Sequence, residues 1–185
     1  MLLKIMQLYI PEFIKKKKLD ELFRLTADAF QSELPELRGL SFTDRLLKYA
    51  LFTKEQAENY LQSGRPLEEV KHRLYQNSYI LGHSLRKSLH ILTGEEALIA
   101  LKIIYKLIGI DLHYDGQGEI IIKQCFFSNY YSGEVCKLIS SLDEGIAAGL
   151  SGGGKLCFNQ RITQGGGCCK GYFSGESHTY YNDNY

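Results

Sequence analysis

The sequence predicts an α+β domain. N-terminal helices lead into a hairpin, a helix and a second hairpin, whose strands form an antiparallel sheet of about four strands covered by helices. Three observations carry this. Apolar residues recur at spacings of three and four as far as Leu107. After Ile108 the period drops to two on either side of glycine-containing turns, with a return to helical spacing from Ser132 to Gly149. All three prolines, Pro11, Pro35 and Pro66, lie early in the chain, and later reversals are made with glycine.

Taken in order, Leu19 to Gln31 reads as a helix through Leu22, Phe23, Leu25, Ala29 and Phe30. The run Lys15–Lys18 ahead of it reads as a solvated helix start, with a phosphate or membrane-surface contact as the alternative. Leu34–Gly39 interrupts. Ser41 or Thr43 is placed to cap a helix through Leu51, and Thr53 with Gln56 forms a capping-box pattern for another through Leu61. Ser63-Gly64-Arg65-Pro66 stops the chain and restarts it. From Pro66 to about Ile91, Val70, Leu74, Asn77, Leu81, Leu85 and Leu89 trace one face of a long helix. Gly82 inside it costs about 1 kcal/mol relative to alanine, which points to close approach by another backbone. Thr93 caps a further helix to Leu107, apolar nearly all round and so expected to be the buried central helix.

The first hairpin is expected over Ile108–Tyr114 and Glu119–Gln124. The second is expected over Leu156–Thr163 and Cys168–Phe173, across Gln164–Gly167. The organisation read from this is a helical extension over residues 1–40, a ligand-binding or catalytic α+β domain over 41–173, and a polar, tyrosine-rich, disordered tail over 174–185.

The 185 residues carry 22 basic and 21 acidic side chains, a net charge of +1, which gives no electrostatic reason to expect nucleic acid. No apolar run approaches the ~20 residues of a membrane span. In Met1–Phe13 the apolar part precedes the charges, the reverse of a secretory leader, so a cytoplasmic location is expected. A reducing compartment makes metal binding or chemistry a better explanation of the cysteines than disulfides.

All five cysteines, Cys125, Cys136, Cys157, Cys168 and Cys169, fall in the last third of the chain. Cys157, between Leu156 and Phe158, reads as a small core residue. Strand alternation puts Cys169 on the face of Phe173 and turns Cys168 outward. Cys125, Cys136 and Cys169 are expected to converge where sheet meets helix, with Asp143 two turns beyond Cys136 on the same helix face. Three readings stay open: buried thiols, a zinc or other soft-metal site on the three cysteines, or a nucleophile supported by Asp143. Cys136, one turn into its helix, is the expected reactive thiol because the helix dipole favours its thiolate.

Ser151-Gly152-Gly153-Gly154-Lys155 lacks the strand–loop–helix order of a phosphate loop. Gly165–Gly167 reads as a hairpin turn, or as an amide nest for an oxyanion. His83, Arg86 and His90 form a polar stripe that is either solvated or carboxylate-binding. Tyr130 and Tyr131 close an aromatic loop suited to roofing a pocket or to ordinary packing.

The segment Cys136-Lys-Leu-Ile-Ser-Ser-Leu-Asp143, followed by Gln160-Arg161-Ile162-Thr163-Gln164-Gly165-Gly166-Gly167-Cys168-Cys169, resembles the end of L-2-amino-thiazoline-4-carboxylic acid hydrolase-like proteins. Those carry a cysteine and an aspartate on one helix, then an Arg-x-Thr strand, a glycine turn and a Cys-x-Phe-x-aromatic strand. Gly171 stands here for the phenylalanine, and Phe173 is kept. The layout is also similar to the 4-vinyl reductase-type domain, which in phenol-sensing activators holds zinc through cysteines and a glutamate beside an aromatic-ligand pocket. Arg161 stands where that pattern has a further cysteine. The resemblance spans roughly residues 45–173. It implies a cysteine-dependent hydrolase acting on a small heterocyclic or carboxylated substrate, by thiazoline C–N ring opening. Cys136, Asp143 and Cys169 would be catalytic, and Arg161, Tyr130, Tyr131, His83 and Arg86 substrate-binding. The alternative is a non-catalytic small-molecule sensor with zinc on Cys125, Cys136 and Cys169. A homodimer fits either reading.

Overall fold

The computed structural model describes residues 10–116 and 118–174. Among them are five α-helices and one four-stranded antiparallel sheet. Helix α1 spans Glu12–Phe30, earlier than the apolar pattern places it, so that Lys15–Lys18 belong to its first turns. Its buried face (Leu19, Leu22, Phe23, Thr26, Ala27, Ala29, Phe30) joins the same core as the sheet. The Phe23 ring meets Tyr49 edge-on at 5.0 Å. The expected extension over 1–40 is thus, from residue 12 to 30, an integral layer, while residues 1–9 lie outside the described residues.

Helix α2 runs unbroken over Phe42–Gln62, where two helices were expected. Ser41 is its cap, accepting the Asp44 N–H at 3.2 Å. Thr53 is not a cap. Its buried hydroxyl donates back to the Tyr49 carbonyl at 2.8 Å, which lets a threonine sit inside a helix with its oxygen satisfied. Helix α3 covers Leu67–Leu89 and α4 covers Gly94–Leu107, the latter opened by a Thr93–Glu96 capping box. Helix α5, Gly133–Ser151, is capped by Ser132, which accepts the Val135 N–H.

The central helix is α5 rather than α4. Lys102 and Lys106 keep one side of α4 in water, whereas α5 is buried from Val135 nearly without break to Ser151. Small residues hid this from the apolar pattern and also cause it. A Cβ on Gly145 would lie 2.1 Å from the Ser78 Oγ and 2.3 Å from the Tyr75 carbonyl oxygen. One on Gly149 would lie 2.3 Å from the Tyr79 oxygen, and one on Gly82 would lie 2.5 Å from that of Ile146. Helices α3 and α5 therefore touch backbone to backbone, which is the reason for Gly82.

Strands β1 (Ile110–Tyr114), β2 (Glu119–Cys125), β3 (Lys155–Gln160) and β4 (Cys169–Ser174) are ordered β1-β2-β4-β3. Both hairpins form as expected, and β4 joins them by pairing with β2, placing Cys169 opposite Ile122. Strand β4 turns Cys169, Gly171 and Phe173 inward. Cys157 is exposed, not a core residue, because Leu156 beside it takes the inward position. Thr163 lies in a single 3-10 turn, Ile162–Gln164, rather than in the strand. Between Phe158 and Gln160 the β3–β4 register slips by one residue, leaving Asn159 as a bulge. Ser174, expected in the tail, closes β4, and residues 175–185 lie outside the described residues. No helix among the described residues is long and apolar enough to cross a membrane.

Candidate functional site

Helix α5 presents Cys136 and Asp143 two turns apart on one face. Strand β2 delivers Cys125 to the same place, and the chain then winds through a 3-10 turn, Phe126–Asn129, to Tyr131. Together with Tyr49 of α2 and Tyr105 of α4 these groups line a cavity of about 80 Å³ whose remaining walls are mostly aliphatic. The roof is tied down. Tyr131 shares a hydrogen bond with Thr53, and Tyr49 shares one with Thr26 at 3.0 Å.

Among the described residues, two polar groups here lack a hydrogen bond of ordinary geometry. The Tyr105 hydroxyl is buried and makes no hydrogen bond of ordinary geometry, though Asp143 lies near enough for each to act on the other's proton affinity. The Thr163 hydroxyl is also buried and unpaired, beside Cys136. Burial pushes the Asp143 carboxyl up to about 7, against the pull of Tyr105 and Arg161. Burial dominates every thiol of the trio as well. Cys125 is pushed up to about 12, and Cys136 and Cys169 are raised. At Cys136 desolvation raises the thiol, the direction opposite to the one the helix dipole alone would give.

Arg161 is 8% exposed. Strict alternation from inward Leu156 would turn it to solvent, and the bulge at Asn159 reverses that. Its guanidinium lies 5.3 Å from the Phe158 ring centre and has no ion pair within 4 Å among the described residues. It lowers the proton affinities of Asp143, Glu144, Cys136 and Cys169, so its charge acts on the whole cluster. Gly171 makes room for this arrangement, since a Cβ there would lie 3.0 Å from Phe158 Cδ1 and 2.1 Å from the Cys157 carbonyl.

The structure thus gathers Cys125, Cys136, Asp143 and Tyr131 on one cavity, with Arg161 and Cys169 just behind it. Cys169 accepts the Ile162 N–H at 3.4 Å and so ties the turn after Arg161 to β4. Tyr130 packs on Phe126 with ring centres 5.2 Å apart, outside the cavity wall. His83 and Arg86 are not brought to the cavity. His83 stacks on Tyr79, and Arg86 donates to the Leu150 carbonyl at 3.3 Å at the end of α5. Tyr105 and Thr163 were not singled out from the sequence. Tyr105 is the one hydroxyl-bearing residue in the otherwise aliphatic and charged α4, and Thr163 stands in the Arg-x-Thr motif.

Among the described residues, no three His, Cys, Asp or Glu side chains are grouped to hold a metal ion. All five cysteines are free thiols. No protein-family model matches the chain, and no curated protein matches it.

Their environments set an order of reactivity. With iodoacetamide at pH 8, exposed Cys157 should be carbamidomethylated first. Cys125 should be last, because a pKa of about 12 leaves roughly one thiol in ten thousand ionised at that pH. Peptide mapping at timed intervals checks this, and early labelling of Cys125 or Cys136 would contradict the burial argument.

Proposed function

We propose that this chain is a small-molecule-binding domain whose ligand occupies the cavity between α4, α5 and the Phe126–Tyr131 segment. The observation that supports it best is the pairing on that cavity wall of buried Tyr105, whose hydroxyl makes no hydrogen bond of ordinary geometry among the described residues, with the Asp143 carboxyl, which burial pushes up to about 7. A buried polar group without a partner is costly, and a ligand that hydrogen-bonds to it removes the penalty. The neutral thiols act as soft, weakly polar walls, and the aliphatic and aromatic surface supplies the affinity. The cavity suits a small, mostly apolar molecule with one polar edge directed at Asp143 and Tyr105.

One observation favours a second reading, the hydrolase implied by the resemblance. A carboxyl titrating near neutral pH is matched to general acid–base work. Asp143 would then take a proton from water as it attacks the amidine carbon and return it to the ring nitrogen as the C–N bond breaks, with the Arg161 charge steadying the substrate carboxylate from behind the cavity wall.

The two readings separate on Cys136→Ser and Asp143→Asn, assayed for both retention and turnover of 2-amino-thiazoline-4-carboxylate. A binding domain gives no turnover in any form, with retention weakened about tenfold by Asp143→Asn through loss of a charge-assisted hydrogen bond. Turnover by the native protein that Asp143→Asn abolishes would establish the hydrolase instead. Retention unchanged by either substitution would remove the cavity as the site.

A further inference from the structure

A second space, between α1, α3 and α4, takes no part in the site described above. On α3, Leu81, Leu85 and Leu89 recur at every fourth residue and each keeps accessible surface. Ile104 and Leu107 of α4 face the same opening, which measures about 70 Å³. Folded interiors are normally filled by side chains, so an apolar space of this size is a feature to account for. The charged side chains on its lining are Lys15 and Lys18 of α1, and no carboxylate lines it among the described residues. Lys18 is held 2.8 Å from Glu21. Lys15 sits 5.7 Å from the Phe42 ring centre and has no carboxylate within ion-pair distance among the described residues.

We propose that this groove binds a straight-chain fatty carboxylate, with its head at Lys15 and Lys18 and its chain along the leucine stripe of α3. The chemistry of the lining selects that class. Free phosphate would leave the apolar wall wet, a neutral lipid would leave the cations unused, and a cationic amphiphile would be repelled. The groove shares Leu22, Ile104, Ile108 and Ile146 with the thiol cavity, so the two spaces adjoin. A chain that outgrows the groove can therefore continue into the second space. The head-group contact does not rest on the reading of the thiol cavity, and the lysine variants, which leave Cys136 and Asp143 untouched, separate the two even for chains long enough to enter both spaces.

Calorimetric titration of the full chain with hexanoate, octanoate and decanoate at neutral pH tests it. One-to-one binding is expected, tightening about fourfold for each added methylene. Decan-1-ol and decyltrimethylammonium should bind at least tenfold more weakly than decanoate. The double variant Lys15→Glu, Lys18→Glu reverses the charge at the groove's head and should weaken decanoate at least tenfold. Leu85→Trp should fill the groove and abolish binding. The proposal is overturned by an absence of heat from decanoate up to about 1 mM, by equal affinity for the quaternary ammonium, or by charge reversal without effect. Binding seen only after removal of residues 1–9 would also overturn it, since the chain's own N-terminal segment would then be the occupant.

Discussion

Gly149→Ala is expected to cost at least ~3 kcal/mol of stability, a large share of the ~5–15 kcal/mol available to a domain of this size. The added methyl carbon would stand 2.3 Å from the Tyr79 carbonyl oxygen, 2.6 Å from the His83 nitrogen and 2.9 Å from the Gly82 carbonyl carbon. All three are backbone atoms of α3, so no side-chain rotation relieves the overlap, and the helices must separate. Separation would strip contacts from the buried faces of both helices, which adds to the strain. Gly145→Ala should behave alike. Gly167→Ala is the control, because a Cβ there meets nothing within 4 Å and its φ lies outside the left-handed region. Urea unfolding midpoints measure all three, and a Gly149→Ala midpoint equal to that of Gly167→Ala would refute the backbone contact.

Asp143→Asn should stabilise the ligand-free protein at pH 8 and leave it little changed at pH 4. The sign follows from linkage. The carboxyl's ordinary value is 3.8, and burial raises it to about 7 in the folded state. Between those values the unfolded chain has released the proton while the folded chain still holds it. Stability is therefore full below about pH 4, falls as pH rises toward 7, and is flat beyond. A shift of this size corresponds to an upper limit of about 4 kcal/mol, reduced where water enters the cavity. In the asparagine variant the decline over this interval should be much shallower. Chemical denaturation at several pH values measures it, and parallel curves for the two proteins would show that Asp143 ionises freely. The same carboxyl is where ligand affinity is expected to turn pH-dependent, so the two measurements check each other.

The sheet was legible because glycine turns and period-two alternation are local signals, and both hairpins form where those signals lie. Helices were legible wherever a leucine stripe marked them, as in α3. Helix α2 was split in error because Thr53 and Gln56 match a capping box locally, while the hydroxyl's true partners, the Tyr49 carbonyl and Tyr131, come from the preceding turn and from far along the chain. The rank of α5 was missed because glycine and alanine carry little hydrophobic signal, and their value lies in what they let approach. At the site, Cys136 and Asp143 could be paired from helical spacing alone. The cavity end of Tyr105 could not, since it depends on how α4 lies against α5. Nor could the burial of Arg161, which turns on one unpaired residue in β3. At Cys136 the helix dipole is visible in sequence, whereas the desolvation that raises the thiol depends on how the sheet and the glycine turn cover it.

That unpaired residue bears on how the molecule meets its own copies. The sheet order leaves β1 and β3 with free backbone edges, the usual template for strand addition by another chain. On β3 only Lys155–Phe158 runs straight before Asn159 breaks the ladder, and Lys155 places a charge at its start. On β1 the strand is five residues long, and Asp111 and His113 stand exposed on it, 2.8 Å apart. Among the described residues neither edge offers the long, flat, apolar run on which strands of another chain add most readily. The kink that turns Arg161 inward also shortens the straight edge that β3 presents.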